Sequence, residues 1–168
     1  MNDDLINELV KREVERTRTH EDPVIQRALS MLNDAINPVQ VVDPAEIVRI
    51  YEQYGIRPAR RNFTDDVIAF RAPTAAGAAD PNIYVNRSSA QYKTAKRDPW
   101  SALKLAATLA HEQTHNTERG IEGERAARRI EADFIRSRAK ALPNQYRKSA
   151  NEYVQALDGL AKRPKGQQ

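Results

Sequence analysis

The sequence predicts an α+β fold, predominantly helical, with a small antiparallel sheet in its middle. Three observations carry this. Apolar residues recur at helical spacing over several stretches that open at an N-cap and close at Gly or Pro. Two short runs, Val67-Ile68-Ala69-Phe70 and Asn82-Ile83-Tyr84-Val85-Asn86, read as strands. A chain of 168 residues with 40% hydrophobic content is the size of one domain with a real core.

The elements follow in order. Residues 3–18 carry Leu5, Ile6, Leu9, Val10 and Val14 on one stripe, an amphipathic helix. Asp22-Pro23 opens a second helix with Val24, Ile25, Ala28, Leu29, Leu32 and Ile36 inward, ended near Pro38. Asp43-Pro44-Ala45-Glu46 combines an N-cap, a first-turn proline and a capping-box glutamate. The helix it starts carries Ile47, Ile50, Tyr51 and Tyr54 and stops at Gly55. Between the two strands, Ala72 to Pro81 is rich in Ala, Gly and Pro and reads as a loop or wide hairpin connection. Asp98-Pro99 starts a helix by the same cap logic as Asp43-Pro44. Gly120 and Gly123 are breakers, so that helix is expected to stop near Thr117 and the next to start near Ile121 or Glu122. Leu142-Pro143 breaks this helix, a last one runs from about Asn144 to Leu160, and residues 163–168 form a mobile tail.

The chemistry concentrates in five residues, His111-Glu112-Gln113-Thr114-His115, which close the apolar run Trp100 to Ala110. Positions i and i+4 lie on one helical face, so His111 and His115 can aim two imidazole nitrogens at one point. Tetrahedral zinc needs that geometry, with a third protein ligand and an open position for water. Glu112 is placed to act as the base for that water. The run before the motif is apolar nearly all round, as expected of a central buried helix, where unpartnered polar side chains are costly.

The third ligand has to come from elsewhere in the chain. A short connection makes the two helices an antiparallel hairpin, and residues equidistant from the turn face each other. With the turn near Arg119 and Gly120, the histidines lie opposite residues 124 to 128, and Glu124 fits best. Glu131 lies on the same face two turns further on and competes. Glu122 and Glu118 remain possible if the helix starts late.

Residues 98 to 135 resemble the core of the HExxH zinc metallopeptidases, in particular the compact glutamate-zincin type. There a second helix with the pattern Glu-x-x-Ala donates the third ligand. The matching residues are the motif itself and Glu124-Arg125-Ala126-Ala127. The resemblance implies a zincin-like core, with residues 1–55 as N-terminal helices, 63–142 as the catalytic core and 143–162 as a C-terminal helix. It implies Zn²⁺ held by His111, His115 and Glu124, Glu112 as catalytic base, and a peptide or protein substrate. Members of the type commonly have an aspartate four residues after the ligand glutamate, orienting a histidine. Here Arg128 stands there and Asp133 is the nearest alternative. No His-x-x-Gly-x-x-His extension follows, so the metzincin pattern is absent. The resemblance covers about a quarter of the chain.

Composition bounds the rest. Without cysteines, disulfides are impossible and a zinc site must use nitrogen and oxygen ligands. No apolar stretch approaches a membrane span. The acidic start, Met1-Asn2-Asp3-Asp4, does not look like a signal peptide, and a cytoplasmic protein is the expectation. From Arg125 onward eleven Lys or Arg face four Asp or Glu, a local +7 that leaves −3 of the total +4 for the remainder. Such a basic third is usually a solvated face, and attraction to nucleic acid or another acidic partner is the less favoured reading. An oxyanion donor is open among Tyr92, Tyr146, Tyr153 and the arginines, while His20 reads as a helix-end residue. Two alternatives to a narrow-specificity peptidase stand: a zinc-binding structural or regulatory module without hydrolysis, and a helical nucleic-acid or partner-binding protein.

Overall fold

A computed structural model describes residues 19–55, 67–72, 80–115 and 120–162. The helix expected at 3–18, the tail at 163–168, Glu118 and most of the Ala72–Pro81 connection lie outside these residues.

Caps set the helix starts. Helix α1 (Pro23–Ser30) begins where the Asp22 carboxylate accepts from the backbone N–H of Val24 and Ile25, and it buries Val24, Ile25, Ala28 and Leu29. It ends at Ser30 and does not continue through Leu32 to Ile36. The turn-forming pair Asn33-Asp34 interrupts the apolar stripe there. Ile36 still reaches the core, buried but from non-helical chain. Helix α2 (Pro44–Gln53) has the full capping box: Glu46 N–H donates to Asp43 at 2.9 Å and Asp43 N–H to Glu46 at 2.7 Å. It closes at Gly55, whose φ of 75° suits glycine.

The sheet holds three strands, β1 (Val39–Val42), β2 (Ala69–Arg71) and β3 (Ile83–Asn86), in the order β1-β3-β2. It is mixed, which corrects the antiparallel expectation. β2 runs antiparallel to β3, pairing Phe70 with Tyr84, whereas β1 runs parallel to β3, pairing Val39 with Ile83. Parallel strands need a crossover, and the chain from α2 through β2 supplies it. β1 is the strand missing from the sequence reading, which assigned nothing to Val39-Gln40-Val41-Val42. β3 is central and all four of its residues are buried.

Side-chain alternation divides the sheet into two faces. Val39, Ala69, Ile83 and Val85 pack against α1 and the motif helix. Val42, Phe70 and Tyr84 pack with Ile47 of α2 on the other side. Phe70 lies between Tyr51 and Tyr84, at centroid distances of 5.2 and 5.3 Å.

After β3 a short helix α3 (Ala90–Ala95), capped by Ser89, leads to the motif helix α4 (Pro99–Thr114). The polar stretch before Asp98 is therefore partly helical. α4 is central, which explains its all-round apolar sequence. One face presents Ala102, Leu105, Ala106 and Leu109 to the sheet and α1. The opposite face presents Trp100, Leu103 and Ala107 to the two helices that follow. Each fully buried leucine contributes about 1.5–3 kcal/mol through removal from water.

Those two helices are α5 (Gly120–Arg138) and α6 (Asn144–Lys162), joined by a 3₁₀ turn at Ala139–Ala141 and Pro143. α5 starts at Gly120, whose φ is 66°, one residue before the expected start. α5 buries Ala127, Ala132 and Ile135, while α6 buries Ala150, Val154 and Leu157. The alanines let α4, α5 and α6 approach closely. Among the described residues no helix is long and apolar enough to cross a membrane.

Candidate metal centre

α4 stops at Thr114, three residues short of the expected Thr117, and His115 is its C-cap in right-handed helical geometry. Both histidines therefore keep helical spacing at the end of the rod. Their rings lie 5.2 Å apart and nearly perpendicular, at 71°. The end of a helix is where cationic or proton-sharing side chains sit comfortably near exposed carbonyls.

Glu124, in the second turn of α5, faces both rings. Its Oε1 lies 3.7 Å from His111 Nε2 and its Oε2 lies 3.5 Å from His115 Nε2. His111, His115 and Glu124 each offer a donor atom, all within 4.8 Å of one another, so one ion can reach all three. Tetrahedral coordination at about 2.0–2.2 Å puts neighbouring donors roughly 3.3–3.6 Å apart, and the two His–Glu124 separations lie close to that spacing. Two imidazoles and a carboxylate, with no thiol, are also a donor set that zinc accepts.

Glu131 does not join the trio. It stands behind His111, where its Oε2 accepts from Nδ1–H at 2.9 Å. That bond leaves Nε2 pointing at Glu124, the arrangement in which an imidazole serves as a ligand. Glu131 is 6% exposed at its side chain, and its second oxygen accepts from the Tyr153 hydroxyl at 2.7 Å. Glu131 thus fills the orienting role for which Asp133 stood as the nearest alternative. Asp133 points outward, 70% exposed, and pairs with Arg136. Glu122 is likewise on the outer face, bound to Arg125 at 2.9 Å. Arg128, four residues after Glu124, donates from Nε to Glu124 Oε1 at 3.0 Å. Its place one turn after Glu124 gives it that reach.

Charge explains the electrostatics. Burial pulls the His111 imidazole down, but the nearby Glu124 carboxylate, the hydrogen bond to Glu131 and the charge of Glu112 outweigh it and push it up to about 10. The neighbouring His111 and His115 imidazoles hold the Glu124 carboxyl far below the usual range, with Arg128 adding to them. Burial pushes Glu112 up to about 7, assisted by Glu124 and Glu131 and opposed by the two histidines. The cluster is rich in carboxylates and favours a positive charge at its centre, a proton or a metal ion.

Two of the tyrosine candidates and His20 are engaged elsewhere. The Tyr92 hydroxyl is bound to Asp22. Tyr146 interacts with Asp98 at the start of α4. His20 is structural: Nδ1 accepts from Asp22 N–H at 2.9 Å, so Nε2 carries the proton and donates to Val39 O at 3.1 Å. Two residues near the motif escaped the sequence reading. Tyr51 of α2, read as an inward packing residue, is pushed up to about 12 by burial and by the charge of Glu112, which places its phenol within electrostatic reach of the motif. Gln113, inside the motif, accepts from Asn37 N–H at 2.8 Å and ties the chain before β1 to the end of α4. No local pattern marks either contact, because each depends on chain brought together over long sequence distance.

No protein-family model, curated protein or solved structure matches this chain. A functional reading therefore rests on the site itself.

Proposed function

We propose that this protein is a zinc-dependent peptidase, and the observation that carries the proposal is the convergence of His111, His115 and Glu124 with Glu112 on the same helical turn. His111 and His115 would hold the metal through Nε2, and Glu124 through a carboxylate oxygen. Zinc, when bound, supplies a Lewis acid for the scissile carbonyl and lowers the pKa of a water toward neutrality. Glu112 accepts a proton from the attacking water as its oxygen bonds to the carbonyl carbon. The same carboxyl then gives that proton to the leaving nitrogen as the C–N bond breaks. Glu131 keeps His111 in the ligand orientation, and Arg128 restrains the Glu124 carboxylate.

A second reading is a zinc-binding module without hydrolysis. It is favoured by the Arg128–Glu124 ion pair, since the guanidinium competes for a ligand oxygen, and by the engagement of Tyr92 and Tyr146 elsewhere. Nucleic-acid binding through the basic third draws less support. Arg136 pairs with Asp133 and Asp158, Arg138 binds Met31 O and Asn33, and Arg147 binds Leu142 O and Lys140 O.

Glu112→Gln separates the first two readings. On a mixed peptide library, the zinc-loaded wild type cleaves and Glu112→Gln loses cleavage while retaining zinc. Zinc binding without cleavage by the wild type supports the non-catalytic module.

A further inference from the structure

Tyr153 lies on α6, far in sequence from the histidines, and its hydroxyl meets the buried carboxylate that orients His111. The line runs Tyr153 Oη–H to Glu131 Oε1 at 2.7 Å, then His111 Nδ1–H to Glu131 Oε2 at 2.9 Å. Both oxygens of Glu131 are thus occupied, each by one donor. Trp100 packs edge-on against the Tyr153 ring at 5.7 Å and limits its swing.

We infer that Tyr153 is a positioning residue for the metal centre: its hydroxyl pins Glu131, and Glu131 pins the His111 imidazole with Nε2 toward Glu124. The inference rests on the metal reading above and deepens it, because it makes the C-terminal helix part of the metal site. Physically, a carboxylate held at one oxygen only can rotate about its terminal torsion, which is broad and soft. Two donors on opposite oxygens fix its plane. A fixed plane gives His111 Nδ1–H one acceptor direction, and so gives Nε2 one aim. Without the hydroxyl, Glu131 keeps its charge but loses its second anchor, so the ring samples orientations that do not point at the shared centre. Outer partners of ligating histidines typically shift metal affinity by about 10–100-fold, and Tyr153 acts one bond further out, so a loss of about 3–10-fold is expected.

The test compares Tyr153→Phe with Leu157→Ala. Leu157 is buried on the same helix, touches the same apolar cluster, and makes no polar link to Glu131. Zn²⁺ affinity is measured by competition with a chromophoric chelator, and the visible spectrum is recorded on the Co²⁺-substituted proteins. The inference predicts weaker zinc binding and an altered cobalt spectrum in Tyr153→Phe, with both unchanged in Leu157→Ala despite its lower stability. A wild type that binds zinc while Tyr153→Phe matches it, or falls no further than Leu157→Ala, overturns this inference and leaves the metal reading standing. A wild type that binds no zinc overturns both.

Discussion

Replacing Glu131 probes the polar centre of the helical half in a way whose size follows from two contacts. Its carboxylate accepts from His111 Nδ1–H and from the Tyr153 hydroxyl, and its side chain is 6% exposed. Glu131→Ala removes both acceptors and leaves two partly buried donors unpaired. Each costs about 1–3 kcal/mol, so the variant should lose roughly 2–6 kcal/mol. Glu131→Gln differs. Its carbonyl still accepts from His111, and its amide can donate to the Tyr153 oxygen, because a hydroxyl both donates and accepts. What disappears is charge assistance, the difference between about 1.5–3 and about 0.5–1.5 kcal/mol per bond. Over the two bonds the glutamine variant should therefore lose about 2–3 kcal/mol, toward the low end of the alanine range. The assay is urea unfolding of chelator-treated protein, read by circular dichroism and extrapolated to water. Removing metal isolates the hydrogen-bond effect from any binding contribution. A glutamine variant less stable than the alanine variant, or losses below about 0.5 kcal/mol in both, would refute the assignment of Glu131 as a doubly bonded buried acceptor.

Two further predictions concern the fold. Leu105→Ala, at a fully buried position between α4 and the sheet, should cost about 3–5 kcal/mol and lower Tm by roughly 6–20 °C. A shift of only one or two degrees in a thermal scan contradicts the central placement of α4. Acid should also unfold the protein. Burial raises Asp22, Asp80 and Asp98, but hydrogen bonds outweigh it: Tyr92 and two backbone N–H groups at Asp22, Tyr84, Asn82 and Tyr54 at Asp80, and Ser101 and Tyr146 at Asp98. All three titrate below the ordinary carboxylate value when folded. Their stabilisation is therefore complete above that value and is lost as pH falls through it toward the lower folded values. Unfolding free energy should be flat in this respect above about pH 5 and decline below about pH 4. A stability that rises on acidification there contradicts these bonds.

How far the sequence foretold the molecule depends on the range of the interaction. Asp22-Pro23, Asp43-Pro44 with Glu46, and Asp98-Pro99 all start helices where expected, because a cap is settled by neighbours within one turn. The all-round apolar run from Trp100 to Ala110 correctly marked a helix covered on both sides. β1 was illegible for the opposite reason. Val39 to Val42 is strand only because it finds β3 across the α2 crossover, and nothing in four residues after a proline states that pairing. The same non-local partner made the sheet mixed. The overlong second helix came from periodicity alone: Leu32 and Ile36 are at helical spacing, while Asn33-Asp34 had the stronger local preference.

At the site, hairpin geometry put Glu124 and Glu131 on one face of α5, and both do face α4. Their division of labour was not legible. It depends on the depth of each residue along the helix pair and on Tyr153 arriving from α6. The proximity of Tyr51 to Glu112 likewise depends on the sheet and α2 folding over the motif.

The central claim is that His111, His115 and Glu124 hold one metal ion. The direct measurement is elemental analysis of protein purified without added metal or a histidine tag, beside His115→Ala and Glu124→Ala. The account predicts about one zinc per chain in the wild type, lost in both variants. Absence of zinc from the wild type even after reconstitution, or its retention in Glu124→Ala, would contradict it.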